Sequence, residues 1–430
     1  MTGTSDPNPA NTGIGVRRYA LSLLVVAYTL NFIDRQVLAI LLPAIKAEFG
    51  VQDWVLGFLA GSAFALFYAT LGVPLALLAD RWNRRNLIAV ALAVWSGMTA
   101  LSGMATSIVQ LAIARIGVGI GEAGFSPSAH SMISDYYPPK QRSSAMGIFS
   151  TGISIGIMIA YLAGGWVVQH IGWREAFLIV GLPGILLAVI FRMTVAEPPR
   201  GMSENRADSS ARPRIGEVAR YLLKRRSFGH MAVGSGLAAF GGYAVANFFP
   251  SFLVRSHGMD PSLIGVYLGL IIGIGGGIGY AGGGYLADHL GRRSHRAALL
   301  GVAVCGMIGW CFNFPVFLGD RLGLALSLFV VPVILTNVYL ATTFAQTQGL
   351  VGLRMRGVAA AILLFILNII GLGLGPQVTG ILSDLYAGRF GDESMRYALL
   401  TVVTVVGPWS AFHYVMASRS IEADLAAAED

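Results

Sequence analysis

One short pattern of small, acidic and basic residues occurs twice, once in each half of the chain. Residues 76–85 read ALLADRWNRR and residues 284–293 read GYLADHLGRR. Each copy follows a long apolar run and precedes another, and nearly half of the 430 residues separate the two copies. A repeat of this size indicates a duplicated structural unit. The sequence therefore predicts two copies of one helical bundle.

The apolar runs are long enough to cross a membrane. Hydrophobic residues make up 55% of the chain and charged residues 12%, and the mean hydropathy is +0.67. These values exclude an ordinary soluble domain, and each run can cross a hydrocarbon core of about 30 Å as a helix. We therefore expect an all-α integral membrane protein with twelve spans in two six-helix bundles. The predicted spans are 17–44, 56–79, 87–107, 109–135, 144–169, 176–195, 228–254, 263–287, 295–316, 322–351, 358–383 and 395–417.

The chain divides at a central segment rich in Pro, Arg, Ser and Asp, with six predicted spans on either side. Within it, residues 215–226 (IGEVARYLLKRR) have helical apolar spacing and a basic face. A helix lying on the membrane surface and a plain linker helix both fit that pattern. The predicted organisation is a cytoplasmic tail, a first bundle, a central loop, a second bundle and a second tail: 1–16, 17–195, 196–227, 228–417 and 418–430.

The net charge is +8, and the Arg and Lys residues behind it are distributed unevenly among the loops. Basic residues concentrate in alternate loops, on the side that carries both predicted tails. Positive charge favours the cytoplasmic side, so we expect both termini in the cytoplasm, and the inner membrane of a bacterium as the location. The basic balance is then a topology signal, and no nucleic-acid partner is expected. The expected partners are the bilayer and a small amphipathic or anionic molecule, bound by a monomer.

The repeated loop pattern has a physical interpretation. Its small first residue lets two helices approach closely. Its Asp can accept hydrogen bonds at a neighbouring helix N-terminus, and its Arg pair can bridge to carboxylates at other helix ends. Such a latch would hold one conformation, whereas the alternative is a pair of topology signals without a switching role. The candidate latch residues are Asp80, Arg81, Arg84, Arg85, Asp135, Asp288, Arg292 and Arg293.

With these motifs the sequence resembles the major facilitator superfamily, whose loop signature is GxLADxxGRR. The second copy matches throughout, whereas the first has Ala76 and Asn83 at the two glycine positions. RIGVGIGE at 115–122 and GWREAF at 172–177 also match. The resemblance implies a twelve-span secondary transporter that works by alternating access.

Three segments resemble the Spinster branch of that superfamily. They begin with NFIDRQVLAILLP at residue 31, ARIGVGIGEAGFSPSAHS at residue 114 and RGVAAAILLFILNIIGLGLGPQ at residue 356. The resemblance implies a lysophospholipid or a sphingoid lipid as substrate. Bacterial carriers of small molecules share parts of these segments. A proton-coupled carrier of small organic anions or drugs is therefore the alternative.

Four charged residues fall inside predicted spans one and four: Asp34, Arg35, Arg115 and Glu122. Charges at membrane depth are costly unless paired or hydrated, so they usually mark functional sites. The resemblance makes spans one and four neighbours, and pairs Asp34 with Arg115 or Arg35 with Glu122.

Our hypothesis assigns the coupling proton to Asp34, with protons as the coupling ion and no other cofactor. Glu122 is a second proton site or binds a cationic part of the substrate. Arg35 and Arg115 then alternate between these carboxylates and an anionic head group. The alternative is a static ion network that holds the two spans together.

The second half lacks these charges at the equivalent positions. Its spans seven and ten offer aromatic and weakly polar side chains, which suit the apolar part of an amphipathic substrate. Each such side chain taken singly is more often a packing residue. The candidates for substrate binding are Tyr243, Asn247, Phe248 and Phe344.

An enzyme would require a metal cluster, a nucleophile motif or a cofactor fingerprint. The seven histidines do not cluster with carboxylates at ligand spacing, and no GxxxxGK[ST] phosphate-binding loop occurs. The sequence therefore predicts no enzymatic activity. Duplicated halves with matching latches imply gating from two sides, which argues against a channel. A receptor-like sensor built on a transporter fold is a further alternative.

Overall fold

The computed structural model describes residues 14–199, 215–352 and 355–428, and these are helical apart from short connections. In the first half the six spans are Ile14–Phe49; Asp53–Gly57 continuing through Phe58–Ser62 and Ala63–Arg81; Arg84–Gly103; Ile108–Glu122 with Phe125–Tyr136; Pro139–His170; and Trp173–Thr194. In the second half they are Arg226–His257; Pro261–Leu268 through Gly269–Ile274 and Gly275–Gly291; His295–Leu318; Leu322–Thr336 with Tyr339–Gly349; Arg356–Leu367 through Asn368–Leu374 and Gly375–Phe390; and Ser394–Ala426. We number them spans 1 to 12 in chain order.

These helices confirm the predicted membrane architecture. Among the described residues, 11 continuous helical stretches are long and apolar enough to cross a membrane. The last, Arg356–Ala426, contains both span 11 and span 12, which meet at the 3-10 turn Gly391–Glu393. Most helices run a few residues beyond the predicted limits. The reason is that their polar and charged ends lower the local hydropathy without breaking the helix.

Successive spans run antiparallel. In the first half, Tyr19 near the start of span 1 donates a hydrogen bond to Thr194 at the end of span 6. At the opposite end of the same two helices, the indole Nε1 of Trp173 donates to Glu48 at 2.7 Å. We call the end that carries residues 14 and 428 the termini side, and the opposite end the far side.

Spans 2, 8 and 11 each contain a π-helical segment, and these segments lie where the two halves touch. They are Phe58–Ser62, Gly269–Ile274 and Asn368–Leu374. A Cβ on Gly61 would lie 2.7 Å from the carbonyl oxygen of Leu372 in the other half. The wider π turns are common at functional positions in helices. In this protein, the π-helical segments of spans 2 and 11 bring the backbone of Gly61 against the backbone of span 11.

The central segment contains the short helix Ile215–Leu223. Its apolar residues Val218 and Leu222 are fully buried in a cluster with residues of the second half, including Phe228 and Leu363. This helix therefore packs on the second half through Val218 and Leu222, whereas its apolar residues Ile215 and Leu223 are exposed. The remainder of the predicted loop, residues 200–214, and tail residues 1–13 and 429–430 lie outside the described part of the chain.

Candidate substrate and proton site

The four charges in spans 1 and 4 form two ion pairs. Arg115 Nη1 lies 2.9 Å from Asp34 Oδ1, and Arg35 Nε lies 2.5 Å from Glu122 Oε2. Asp34, Arg115 and Glu122 are buried, whereas the Arg35 side chain keeps 16% of its surface exposed. The two spans are antiparallel, and Arg115 and Glu122 are two helical turns apart on one face of span 4. Both predicted pairings therefore form together.

A third helix completes the surroundings of Asp34. The hydroxyl of Thr99, on span 3, donates a hydrogen bond to Asp34 Oδ2. Thr99 is fully buried, and sequence analysis missed it because a single hydroxyl in an apolar span carries no signal. Both oxygens of Asp34 are thus paired, and this carboxylate joins spans 1, 3 and 4.

Other polar atoms of the same region are buried without a partner among the described residues. They are Oε1 of Glu122, Nε of Arg115 and both amide atoms of Asn31. A buried polar group left unpaired costs roughly 1–3 kcal/mol. The site therefore has the capacity to bind a proton or a polar ligand group in addition to its internal pairs.

Aromatic rings surround the guanidinium of Arg35. Its central carbon lies 5.3 Å from the ring centre of Phe32, 5.0 Å from that of Phe64 and 4.4 Å from that of Tyr68. Cation–π attraction at these distances holds the guanidinium in place beside Glu122. Arg35, whose side chain is the most exposed of the four, therefore stands at a boundary between charged and aromatic surfaces.

The second half contributes tyrosines to this region. Tyr243 of span 7 interacts electrostatically with Arg35 and Tyr68, and Tyr280 and Tyr339 each interact electrostatically with Tyr243. Sequence analysis selected Tyr243 but not Tyr68, Tyr280 or Tyr339.

The structure places the other three candidates of the second half differently. The amide of Asn247 donates to the carbonyl of Tyr243 in its own helix at 2.9 Å. Phe248 is fully buried in an apolar cluster shared by the two halves, and Phe344 packs against a cluster of the second half. Of the four, Tyr243 stands beside the charged residues, and substrate binding by all four stays a prediction.

The first copy of the loop pattern forms a network around Arg84. This arginine is 1% exposed and pairs with Asp135 at the end of span 4. Its Nε also lies 2.8 Å from Glu197 Oε1, and the second oxygen of Glu197 accepts the backbone N–H of Arg85 at 2.7 Å. Arg84 thus ties the start of span 3 to the end of span 4 and to the segment after span 6. The predicted partner Asp135 is present, whereas Glu197 was missed as a partner.

The second copy has a different environment. Asp288, Arg292 and Arg293 are exposed. Within the described residues, the backbone N–H of Arg292 bonds to the carbonyl of Asp288 in the same helix. The side chains of Asp80 and Arg81, in the first copy, lie outside the described residues. The structure therefore has a buried ionic network at the first copy of the pattern and an exposed loop at the second. A switching role for either copy stays a prediction.

Within the described residues, no group of three or more His, Cys, Asp or Glu side chains is placed to hold a metal ion.

Comparison with known proteins defines the class. The sequence model of the Major Facilitator Superfamily matches residues 24–412. The chain is 31% identical over 410 residues to an MFS-type efflux pump of Mycolicibacterium smegmatis, covering 94% of each chain. It is 25% identical over 397 residues to the hexuronate transporter of Bacillus subtilis, covering 90% of this chain and 93% of that protein. The chain belongs to the major facilitator superfamily, and it is a transporter rather than an enzyme.

A solved structure narrows this assignment. The crystal structure of a bacterial homolog of the human lysosomal transporter Spinster, in an inward-facing and unoccupied conformation, superposes with a TM-score of 0.88 at 32% identity. The match covers 96% of this chain and 99% of that one. Within its superfamily, this transporter is therefore Spinster-like.

The network around Arg84 generates a stability prediction. Removing one partner of a buried ion pair leaves uncompensated charge and costs about 3–5 kcal/mol. We expect Arg84→Gln to lower the thermal unfolding temperature of the purified protein in detergent clearly. The matched control is Arg292→Gln, at the equivalent exposed position, which should change it little. Equal unfolding temperatures for the two variants would contradict a structural role of the Arg84 network.

Proposed function

We propose that this protein is a proton-coupled secondary transporter that works by alternating access and carries an amphipathic lipid. The candidate substrates are lysophospholipids and sphingoid phosphates. The observation that carries the proposal is the neutral cluster of two acids and two arginines, buried between spans 1 and 4 and bordered by aromatic rings. Protons are the proposed coupling ion, with no other cofactor, and the monomer is the proposed working unit.

Asp34 is the proposed coupling site because its charge determines the position of a buried arginine. In the ionised form it accepts hydrogen bonds from Arg115 and Thr99. Protonation removes that charge and leaves Arg115 without its partner, which frees the guanidinium to bind an anionic group. Glu122 is the proposed second proton site, since its Oε1 is buried without a partner among the described residues.

The substrate class follows from the two surfaces that meet at Arg35. Its guanidinium is paired with Glu122 yet partly exposed, so an anionic head group can compete for it. Phe64, Tyr68 and Tyr243 next to it offer apolar surface with polar edges. A molecule with an anionic head and an apolar body fits both surfaces at once.

The orientation in the membrane is also a proposal. The exposed arginines of the second loop pattern, Arg292 and Arg293, lie on the termini side. We therefore assign the termini side to the cytoplasm of a bacterial inner membrane. Among the described residues, the hydrogen bonds that join the two halves run from the middle of the spans to the far side, as in Ser62 to Gly373 and Tyr161 to Ala246. The proposed state is inward-facing.

A second candidate function has its own support. The relatives named above include a hexuronate transporter, whose name gives a small organic anion as its substrate, and an MFS-type efflux pump. The alternative is therefore a proton-coupled carrier of small organic anions or drugs that uses the same charged site.

Flux into proteoliposomes with an imposed pH gradient tests the proposal and separates the two candidates. Labelled lysophospholipid and sphingoid phosphate are compared with a hexuronate and a dicarboxylate. We expect gradient-dependent lipid flux in the wild type. The variant Asp34→Asn should lose gradient-driven flux, by about 100-fold or more, and keep substrate exchange without a gradient. Flux of the small anions alone would replace the lipid assignment, and normal driven flux in Asp34→Asn would contradict the coupling role.

Arg35 allows a separate test of head-group recognition. We expect Arg35→Gln to weaken binding of an anionic substrate by at least about tenfold, because charged hydrogen-bond partners contribute roughly 1.5–3 kcal/mol. Binding is measured by titration calorimetry in detergent. The control is Arg174→Gln, an arginine on the far side that pairs with Glu48 outside this site. Unchanged affinity in Arg35→Gln would rule out head-group binding by Arg35.

A further inference from the structure

Span 4 carries a line of polar side chains that leads from the charged cluster toward the termini side. Glu122, Ser126 and His130 follow one another at four-residue intervals, and residues spaced in this way are neighbours on the surface of a helix. Ala123 and Gly124, which join the two pieces of the span, keep right-handed helical backbone angles. Glu122 is buried, Ser126 is half-buried and His130 is exposed. The line therefore connects a buried acid to solvent.

Contacts of Ser126 place this line on the face of span 4 that looks toward the second half. The hydroxyl groups of Ser126 and of Tyr28 on span 1 are hydrogen-bond partners. Tyr28 also interacts electrostatically with Arg35 in the charged cluster and with Tyr243 in the second half. Ser126 consequently lies between the two halves, next to the charged cluster on its termini side.

His130 stands one further turn toward the termini side. Its ring meets the ring of Phe149 on span 5 edge-on, with centroids 5.4 Å apart, and Phe149 in turn stacks on Tyr28 at 4.2 Å. The hydroxyl of Ser134 donates to the backbone carbonyl of His130 at 2.9 Å. Among the described residues, neither ring nitrogen of His130 has a hydrogen-bond partner. The imidazole is therefore held by its ring face while its nitrogens stay open to water.

The charged and titratable groups around this line have fixed partners of their own. They are Arg35 and Tyr28 on span 1, Arg84 on span 3, Arg142 at the start of span 5, and Glu122 and Asp135 on span 4. Within the described part of the chain, no carboxylate forms an ion pair with His130. Histidine is the side chain whose charge ordinarily changes between about pH 5 and 8. An imidazole that is not fixed in an ion pair suits transient binding of a proton.

We infer that Ser126 and His130 form a proton route from Glu122 to the termini side, in which His130 takes up the proton and releases it to water. The inference rests on the proton-coupled mechanism proposed above. Protonated Glu122 gives its proton, by way of Ser126 and water, to a neutral nitrogen of His130. Glu122 is then ionised beside Arg35, and the imidazolium of His130 passes the proton to water on the termini side.

The spacing along span 4 explains why an intermediate is needed. Eight residues of helix span about 12 Å, whereas a direct proton transfer requires hydrogen-bond distance or one bridging water. Ser126 stands halfway, about 6 Å along the axis from each of the other two. A hydroxyl accepts a hydrogen bond on one side while it donates on the other, so it can pass a proton on. Proton uptake follows the same steps in reverse order.

Substrate-driven proton movement with chemical rescue tests the route. Proteoliposomes contain a pH-sensitive dye, and a gradient of lysophospholipid is imposed, or of a hexuronate if the flux measurement favours the small anion. We expect His130→Ala to slow proton movement by at least about tenfold, because a positioned proton acceptor contributes roughly 100-fold or more. Added imidazole should restore most of the lost rate in this variant, since the space left by the side chain admits it. The bulkier buffer MES at the same buffering capacity should not.

Two further variants separate a proton route from a structural role. His130→Gln should slow proton movement as His130→Ala does and leave substrate exchange without a gradient at the wild-type rate, because exchange needs no net release of protons. This variant decides the matter if His130→Ala misfolds. The matched control is His170→Ala, an exposed histidine at the far-side end of span 5, which should change neither rate.

Proton movement at the wild-type rate in His130→Gln would overturn the route. So would a loss in His130→Ala that imidazole does not restore, or a loss that extends equally to substrate exchange. If the wild type moves substrate but no protons, the coupling proposal fails and the route fails with it. If the wild type and the His130 variants all move protons equally fast, the route alone fails.

Discussion

The rest of the structure depends on the pairing of four charges between spans 1 and 4. Each of Asp34, Arg35, Arg115 and Glu122 would be costly to bury alone, and together they are neutral. A proton or an anion that enters this cluster changes which of the four side chains have an oppositely charged partner. Because the partners are on different helices, a change of protonation also changes the forces between the helices. This is the physical basis of the coupling that we propose.

The two ends of the molecule are held in different ways. On the termini side, Arg84 joins helix ends within the first half, and the equivalent Arg292 is exposed. On the far side, Asp53 and Asp384 join one half to the other. The contacts between the halves consist of the glycine-lined crossings of span 2 with span 11 and of span 5 with span 8, a shared apolar cluster that contains Phe248, and a few hydrogen bonds and ion pairs. This construction suits the movement of the two halves as separate bodies, which the proposed alternating-access mechanism requires.

Sequence analysis predicted the parts of this architecture that follow from local patterns. The twelve spans follow from hydropathy. The pairs of Asp34 with Arg115 and Arg35 with Glu122 follow from the family resemblance, which makes spans 1 and 4 neighbours, together with the opposite charges of these side chains. Thr99 and Glu197 were missed, because one hydroxyl and one acid at a loop carry no pattern of their own. On the far side, Asp384 of span 11 accepts hydrogen bonds from the backbone N–H groups of Asp53 and Trp54 at the start of span 2. These bonds were missed because the two donors are 331 and 330 residues away from Asp384 in the chain. Phe248 lies on a helix beside the site, but a single residue step turns a side chain by about 100°, and this one points into the core.

Proton movement driven by the substrate tests the central claim most directly. Proteoliposomes with equal pH on both sides contain a pH-sensitive dye, and a gradient of substrate is imposed. If protonation of the buried cluster is coupled to transport, the substrate gradient alone must change the internal pH. The change should be abolished by a proton ionophore and should be absent in empty liposomes. Substrate transport at the normal rate without any proton movement would contradict the account.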